Sequence, residues 1–169
     1  MTTSTRRTGA PAHVADAPSF ESFYRGERDG LHRALTFAVG DHRLAGEVVD
    51  EAMVRAYERW SRIGRYDDPA GWVYRVAMNR ARSLWRRSRW VRPGDPPDRE
   101  RPVAELPDPE LWAAVAALPR GQRDAVVLRF VLDWSYDRIG EALGVATSTA
   151  RSRVARALPM LREDLEATS

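Results

Sequence analysis

Residues 135–158, "SYDRIGEALGVATSTARSRVARAL", read as two helices folded around a tight turn. Ser135 suits a helix N-cap, because its hydroxyl can accept from a free amide of the first turn. Ile139 and Leu143 lie four residues apart and share one helix face. Gly140 has no side chain, which lets a second helix come close. Gly144 suits the left-handed backbone that such a turn needs, and Val145 follows as an apolar plug. The second helix starts at "ATST", with Ala150, Val154 and Leu158 inward at every fourth position. Its remaining positions carry Thr147, Ser148, Thr149, Arg151, Ser152, Arg153 and Arg156. Hydroxyls near a helix N-terminus, followed by guanidiniums, suit phosphate and base-edge contacts in a major groove. A solvated helical hairpin that merely carries arginines shares the pattern, but it has no need of the glycine at the turn.

Upstream of this motif the helical reading continues. "GQRDAVVLRFVLD" places Val126, Val127, Phe130 and Val131 on an apolar side, and "LWAAVAAL" is a short helix ending before Pro119. Before them, "VRPGDPPDRERPVAELPDPE" holds six prolines in twenty residues, which excludes a regular helix. Residues 20–89 show helical periodicity and no alternating strand pattern. One helix is expected from Ser19 to Val39. A second is expected from Leu44 to Ile63, with Val48, Val49, Ala52, Ala56, Tyr57 and Trp60 inward. A third follows "DDPAG", where Asp68 can cap and Pro69 suits the first turn. The expected fold is all-α: a disordered tail (1–18), a helical domain (19–91), a flexible Pro-rich linker (92–107) and a helix-turn-helix domain (108–169).

Charge follows the same divisions. Residues 71–92 carry seven arginines and no acid, and residues 144–162 carry four arginines and no acid. Between them, residues 93–118 hold two arginines and six acids. Two basic blocks separated by an acidic tether suggest two contact surfaces. In the first block, "WVYRVAMNRARSLWRRSRWVR", Arg75, Asn79, Arg82 and Arg86 recur at steps of four, three and four and form one stripe. Val73, Val76, Ala77, the stem of Arg80 and Leu84 form the opposite, inward stripe. Trp60 and Trp72 sit in apolar stripes and read as core, as do Trp112 and Trp134 in the second domain. Trp85 and Trp90 fit either role. A membrane-lying helix needs an uncovered apolar face, and here that face is expected to pack on the preceding helix.

Composition narrows the chemistry. The chain has no cysteine, and its three histidines are scattered, so neither a metal site nor a cofactor is expected. No nucleophile–base pair or glycine-rich phosphate loop is present, which argues against an enzyme. No apolar run marks a signal peptide or membrane span, so the expected location is the cytoplasm. All 27 cationic side chains are arginine, so every cationic contact falls to the planar, bidentate guanidinium.

Taken together, "LAGEVVDEAMVRAYERW", "DDPAGWVYRVAMNRARSLWRR" and residues 118–163 resemble the extracytoplasmic-function (ECF) group of sigma-70-type RNA polymerase sigma factors. The first two segments look like the family's second conserved region and the last like its fourth. The resemblance implies a non-catalytic subunit that joins core RNA polymerase, directs it to promoters and helps open the DNA. It implies that the β′ clamp helices are met by the exposed side of the "GEVVDEAM" helix, through Glu47, Asp50, Glu51 and Met53. Asp50 stands where the family usually has glutamine. Asn79 matches the asparagine of the family's "VA-x-N" motif beside the −10 element, with Arg75, Arg82 and Arg86 on phosphates. Arg65 and Tyr66, in "SRIGRYDDP", match the segment that captures a flipped −10 base; packing of Tyr66 on the bundle fits equally well. The fourth region is implied to bind the β flap and to read the −35 element. An anti-sigma partner is a further implication. Two departures are Ala150, where a larger aliphatic is usual, and Pro159, which is expected to kink the last helix near residues 155–158. The alternative is a stand-alone helix-turn-helix regulator.

Overall fold

The computed structural model describes residues 18–91 and 108–168. The expected tail, apart from Pro18, and the expected linker lie outside the described residues, as do the side chains of residues 88–91 and 168. Every described regular element is a helix: α1 (Phe20–Val39), α2 (His42–Glu58), α3 (Trp60–Ile63), α4 (Pro69–Val91), α5 (Pro109–Ala117), α6 (Arg120–Phe130), α7 (Tyr136–Leu143) and α8 (Thr147–Thr168).

The helix starts are written in short polar side chains. Ser19 accepts from the Ser22 amide (3.2 Å), Asp41 from Leu44 (2.8 Å), Asp68 from Gly71 (2.9 Å), Asp108 from Leu111 (3.0 Å) and Ser135 from Arg138 (3.3 Å). Each satisfies an amide that the helix itself leaves without a partner. The α7–α8 turn is built as the sequence suggests. Gly144 has φ +66°, and a Cβ on Gly140 would meet the Val145 carbonyl oxygen at 2.8 Å. Only glycine fits both positions without displacement.

The stretch expected to form one helix from Leu44 to Ile63 is broken at Arg59, whose φ of −120° leaves the helical region. Trp60 then starts α3; its indole donates to the Pro18 carbonyl (2.9 Å) and its ring packs against Phe23. Tyr57, expected inward, is 65% exposed, although its ring meets Phe20 at 5.1 Å. It follows the buried Ala56 and is therefore turned about 100° away from it. Leu158 is also exposed, at 43%. The inward line of α8 runs through Ala150, Val154, Ala157 and Leu161 instead. Strict steps of four drift about 40° per step on an α-helix, so the second step carries Leu158 off the buried face. Phe130, expected on the apolar side of α6, is 61% exposed. Pro159 does not end α8, which is helical from Thr147 to Thr168.

The two helical units pack on each other. One apolar cluster joins Leu35, Val49, Val73 and Ala77 of the first unit to Leu128, Trp134, Ile139 and Val154 of the second. A further cluster sets Ala34 and Phe37 of α1 among Val115, Leu118, Val126 and Leu161. Trp112, expected to pack within the second unit, stacks on Phe37 of the first. Trp134 meets Tyr74 edge-on at 6.0 Å, and Arg138 lies over the Trp134 ring at 3.9 Å. Among the described residues no helix is long and apolar enough to cross a membrane.

Candidate nucleic-acid interface

The outer stripe of α4 follows from helix geometry. Val73, Tyr74, Ala77, Met78 and Ala81 are buried on the inner side, so Arg75, Asn79 and Arg86 are exposed on the outer. Arg82 belongs to the same stripe but turns toward the second unit. Its Nη2 lies 3.6 Å from Oδ2 of Asp124, which is almost fully buried. Arg80, expected to contribute only an inward stem, donates to Glu51 (2.8 Å).

The loop before α4 ends in a carboxylate with several donors. Asp68 Oδ1 accepts from the Gly71 amide and from Arg138 Nη2 (2.7 Å), while Oδ2 accepts from Arg138 Nε (2.8 Å). Gly71 makes room for it, since a Cβ there would collide with the Asp68 carboxylate. Arg65 in this loop is exposed. Tyr66 is half-buried against the core, with the Arg62 guanidinium 6.0 Å from its ring centre.

The helix-turn-helix face is more selective than its sequence suggests. Ser148, Arg151 and Arg156 are exposed. Thr147 donates its hydroxyl to Asp137 of α7 (2.8 Å), and Ser152 donates to the Thr149 carbonyl (3.0 Å). Thr149 is half-buried. Arg153 is also half-buried and turns toward α6, with its Cζ 3.0 Å from where a Gly121 Cβ would stand. Tyr136 was not singled out from the sequence. Its ring lies 5.2 Å from the Arg151 guanidinium and 5.6 Å from that of Arg129. Arg129 is itself held by Asp133 (2.9 Å) and the Trp134 carbonyl (3.1 Å), so the ring is braced on one side and steadies Arg151 on the other.

On α2, Glu47 and Asp50 are exposed, with Glu47 paired to Arg43 (2.6 Å) and Asp50 held by both Arg28 Nε (3.0 Å) and Nη2 (3.1 Å). Glu51 is half-buried between Arg55 and Arg80. Met53, expected on the exposed side, is 2% exposed and belongs to the core: it directly follows buried Ala52 and lies four residues from buried Val49. The exposed line runs instead through Glu47, Asp50, Val54 and Tyr57, with Val54 57% exposed. Its steps of three, four and three were readable in the sequence, but Val54 and Tyr57 look like core by residue type.

Buried charge gathers where the units meet. Burial pushes the Asp124 carboxyl above its ordinary range, opposed by Arg82, Arg120, Arg123 and Arg153. The Tyr74 hydroxyl is pushed well up by burial and then by the charge of Asp124.

Among the described residues the regular elements are all helices, with an arginine–asparagine stripe on one unit and a helix-turn-helix on the other, the class of two-region helical protein suited to DNA. The description "Sigma-70 region 2" matches residues 23–91, and "Sigma-70, region 4" matches residues 109–161. The chain is 31% identical to the ECF RNA polymerase sigma factor SigE of Mycolicibacterium smegmatis, over 92% of its own length and 65% of that protein. It is 31% identical to the RNA polymerase sigma-E factor of Streptomyces avermitilis, over 87% of its own length and 85% of that protein. The fold matches the sigma factor RpoE from Bartonella quintana, solved with the anti-sigma factor NepR. The TM-score is 0.72 at 22% identity, over 87% of this chain and 96% of that one. The chain belongs to the ECF group of sigma-70 family RNA polymerase sigma factors.

Proposed function

We propose that this chain acts as a promoter-specificity subunit: it joins core RNA polymerase in the cytoplasm, recognises −10 and −35 elements and promotes initiation without catalysing a reaction itself. The observation that carries the reading is the pairing of two faces on one bundle. Glu47, Asp50, Val54 and Tyr57 line the exposed side of α2, whereas Arg75, Asn79 and Arg86 line the exposed side of α4. The first face, acidic at one end and apolar at the other, suits a protein partner, which we assign to the β′ clamp helices. The second, cationic around a single amide, suits DNA. Asn79 both donates and accepts, so it can read a base edge or an unstacked base while the arginines hold phosphates. Arg65 and Tyr66, on the loop that leads into α4, we assign to capture of a flipped −10 base.

In the second unit we assign −35 reading to the exposed Ser148, Arg151 and Arg156, with Thr147, Thr149, Ser152 and Arg153 shaping the helix rather than all touching bases. The same unit would meet the β flap. The likeness to a sigma factor solved with an anti-sigma factor supports a regulator of that kind for this chain as well.

The test is run-off transcription, with a gel shift performed with and without core polymerase. Specific initiation that depends on both chain and polymerase is expected. Strong sequence-specific binding by the chain alone, with no effect on polymerase, would point to a stand-alone helix-turn-helix regulator.

A further inference from the structure

We propose that Asp124 is an internal stand-in for a DNA phosphate on Arg82, so that closure of the two helical units and promoter binding compete for the same guanidinium. This rests on reading the outer stripe of α4 as the −10 face. Three members of that stripe, Arg75, Asn79 and Arg86, are exposed, while the fourth, Arg82, is engaged across the interface. Its partner has the chemistry of its proposed target, since carboxylate and phosphate oxygens are both met by guanidinium donors. A duplex laid along α4 meets three free groups first. It completes the stripe only when a phosphate replaces Asp124.

A second charge pair couples the same event to the recognition loop. Asp68, at the end of the loop that carries Arg65 and Tyr66, is held by two donors of Arg138 from the helix-turn-helix. Arg138 is backed by Trp134, and Trp134 by Tyr74 of α4. Separation of the units therefore frees Arg82 and the loop end together.

The junction is suited to opening. The Tyr74 hydroxyl, Arg82 Nε and Asp124 Oδ1 are buried without a protein hydrogen-bond partner, so closure does not pair every polar atom of the junction with another protein group. Asp124 is not stranded when Arg82 leaves, because Arg120, Arg123 and Arg153 of its own unit also bear on it.

The chain lacks cysteine, so a reversible lock can be built in the full-length protein. A Cβ on Gly30 would lie 3.3 Å from Leu132 Cδ2 across the interface. The Gly30→Cys/Leu132→Cys variant therefore sets two thiols on facing sides of it, to be joined by a disulfide or by a short bis-methanethiosulfonate bridge that reductant also cleaves. The cross-link is expected to form in the free protein under oxidant or with that reagent. The cross-linked protein should give no more run-off product than core polymerase alone, and reductant should restore it. Failure to cross-link, or equal activity of the cross-linked and reduced forms, overturns the proposal. A reduced protein that gives no product with core polymerase counts instead against the sigma-factor function.

The competition itself is then read independently of transcription. Binding of a labelled duplex oligonucleotide is titrated against salt. Asp124→Asn is expected to tighten binding and steepen the dependence of log K on log salt by about 0.9, one added phosphate contact. Asp124→Asn combined with Arg82→Ala should show no such change, and Glu141→Gln, at an exposed acid, controls for net charge. An unchanged slope for Asp124→Asn, or the same gain with Arg82 removed, overturns the proposal.

Discussion

The outer faces of α4 and α8 carry similar residues, but they are organised differently. On α4, the positions of Arg75, Asn79 and Arg86 follow from periodicity alone: bury the opposite side and these three face outward. On α8, groups on the face are conditioned by other elements. Asp137 takes the Thr147 hydroxyl, Tyr136 steadies Arg151, and Arg153 turns toward α6. One face belongs to its helix, whereas the other is assembled. An assembled face should therefore be vulnerable to changes that never touch DNA, whereas the α4 positions set by periodicity alone, Arg75, Asn79 and Arg86, should not.

The strongest attempt to break that contrast is Ile139→Ala. Ile139 is fully buried beneath the helix-turn-helix, and its truncation should destabilise the protein by about 2–5 kcal/mol. Urea denaturation followed by helical circular dichroism measures this, and at temperatures where the variant remains folded −35 contacts should weaken before −10 contacts do. Asn79→Ala probes the intrinsic face directly. It should remove about 1–3 kcal/mol of discrimination at the −10 element, read as the loss of preference between matched and substituted promoters in run-off assays. Helicity and thermal stability should stay at the parent value, because the side chain is exposed. A loss of stability would mean that Asn79 is structural. Tyr136→Leu is a smaller perturbation of the assembled face, weakening −35 binding by about 0.5–1 kcal/mol. Tyr136→Phe should retain binding because the ring is kept. In an Arg151→Ala background, neither change at Tyr136 should matter.

The smallest effect concerns the α4 arginine that is engaged across the interface. Burial raises the Asp124 carboxyl above its ordinary value of 3.8, so the folded chain holds this proton more tightly than the unfolded chain does. Its contribution to stability is fully present below that ordinary value and is lost as pH rises through the raised one. The stability difference between the parent and Asp124→Asn should therefore move in the parent's favour on acidification from neutral pH. A difference that grew with pH would mean that Arg82 and its neighbours outweigh burial.

The sequence made the all-α architecture, the caps at Asp68 and Ser135 and the turn at Gly144 legible, because each depends on neighbours within a few residues. The α4 stripe was legible for the same reason, as was the exposure of Glu47 and Asp50. Met53, Tyr57 and Leu158 were misassigned because residue type and steps of four are poor guides at the margins of a buried stripe. The engagement of Arg82 by Asp124, and of Asp68 by Arg138, joins positions far apart in the chain. No local pattern announces such a pair. Pro69 and Pro119 could be read as helix boundaries, whereas Pro159 stands inside α8, and no local pattern says how far the helix continues past it.

Pro159 nevertheless leaves a mark on α8. A proline has no amide hydrogen, so the Ala155 carbonyl lacks the rung that the ladder would normally provide. Ala155 and Pro159 are both exposed, while Val154, Ala157 and Leu161 stay buried through the same turn. The gap thus falls on the wet side and the packed side passes it unbroken. Ser148 and Arg151 precede it and Arg156 lies within that turn; Leu161 and Leu165 follow. Fraying that starts at Thr168 reaches a ready stopping point before it reaches the turns of Ser148 and Arg151, and amide exchange should divide there. α8 runs as one continuous helix past the proline, but its backbone ladder has two parts.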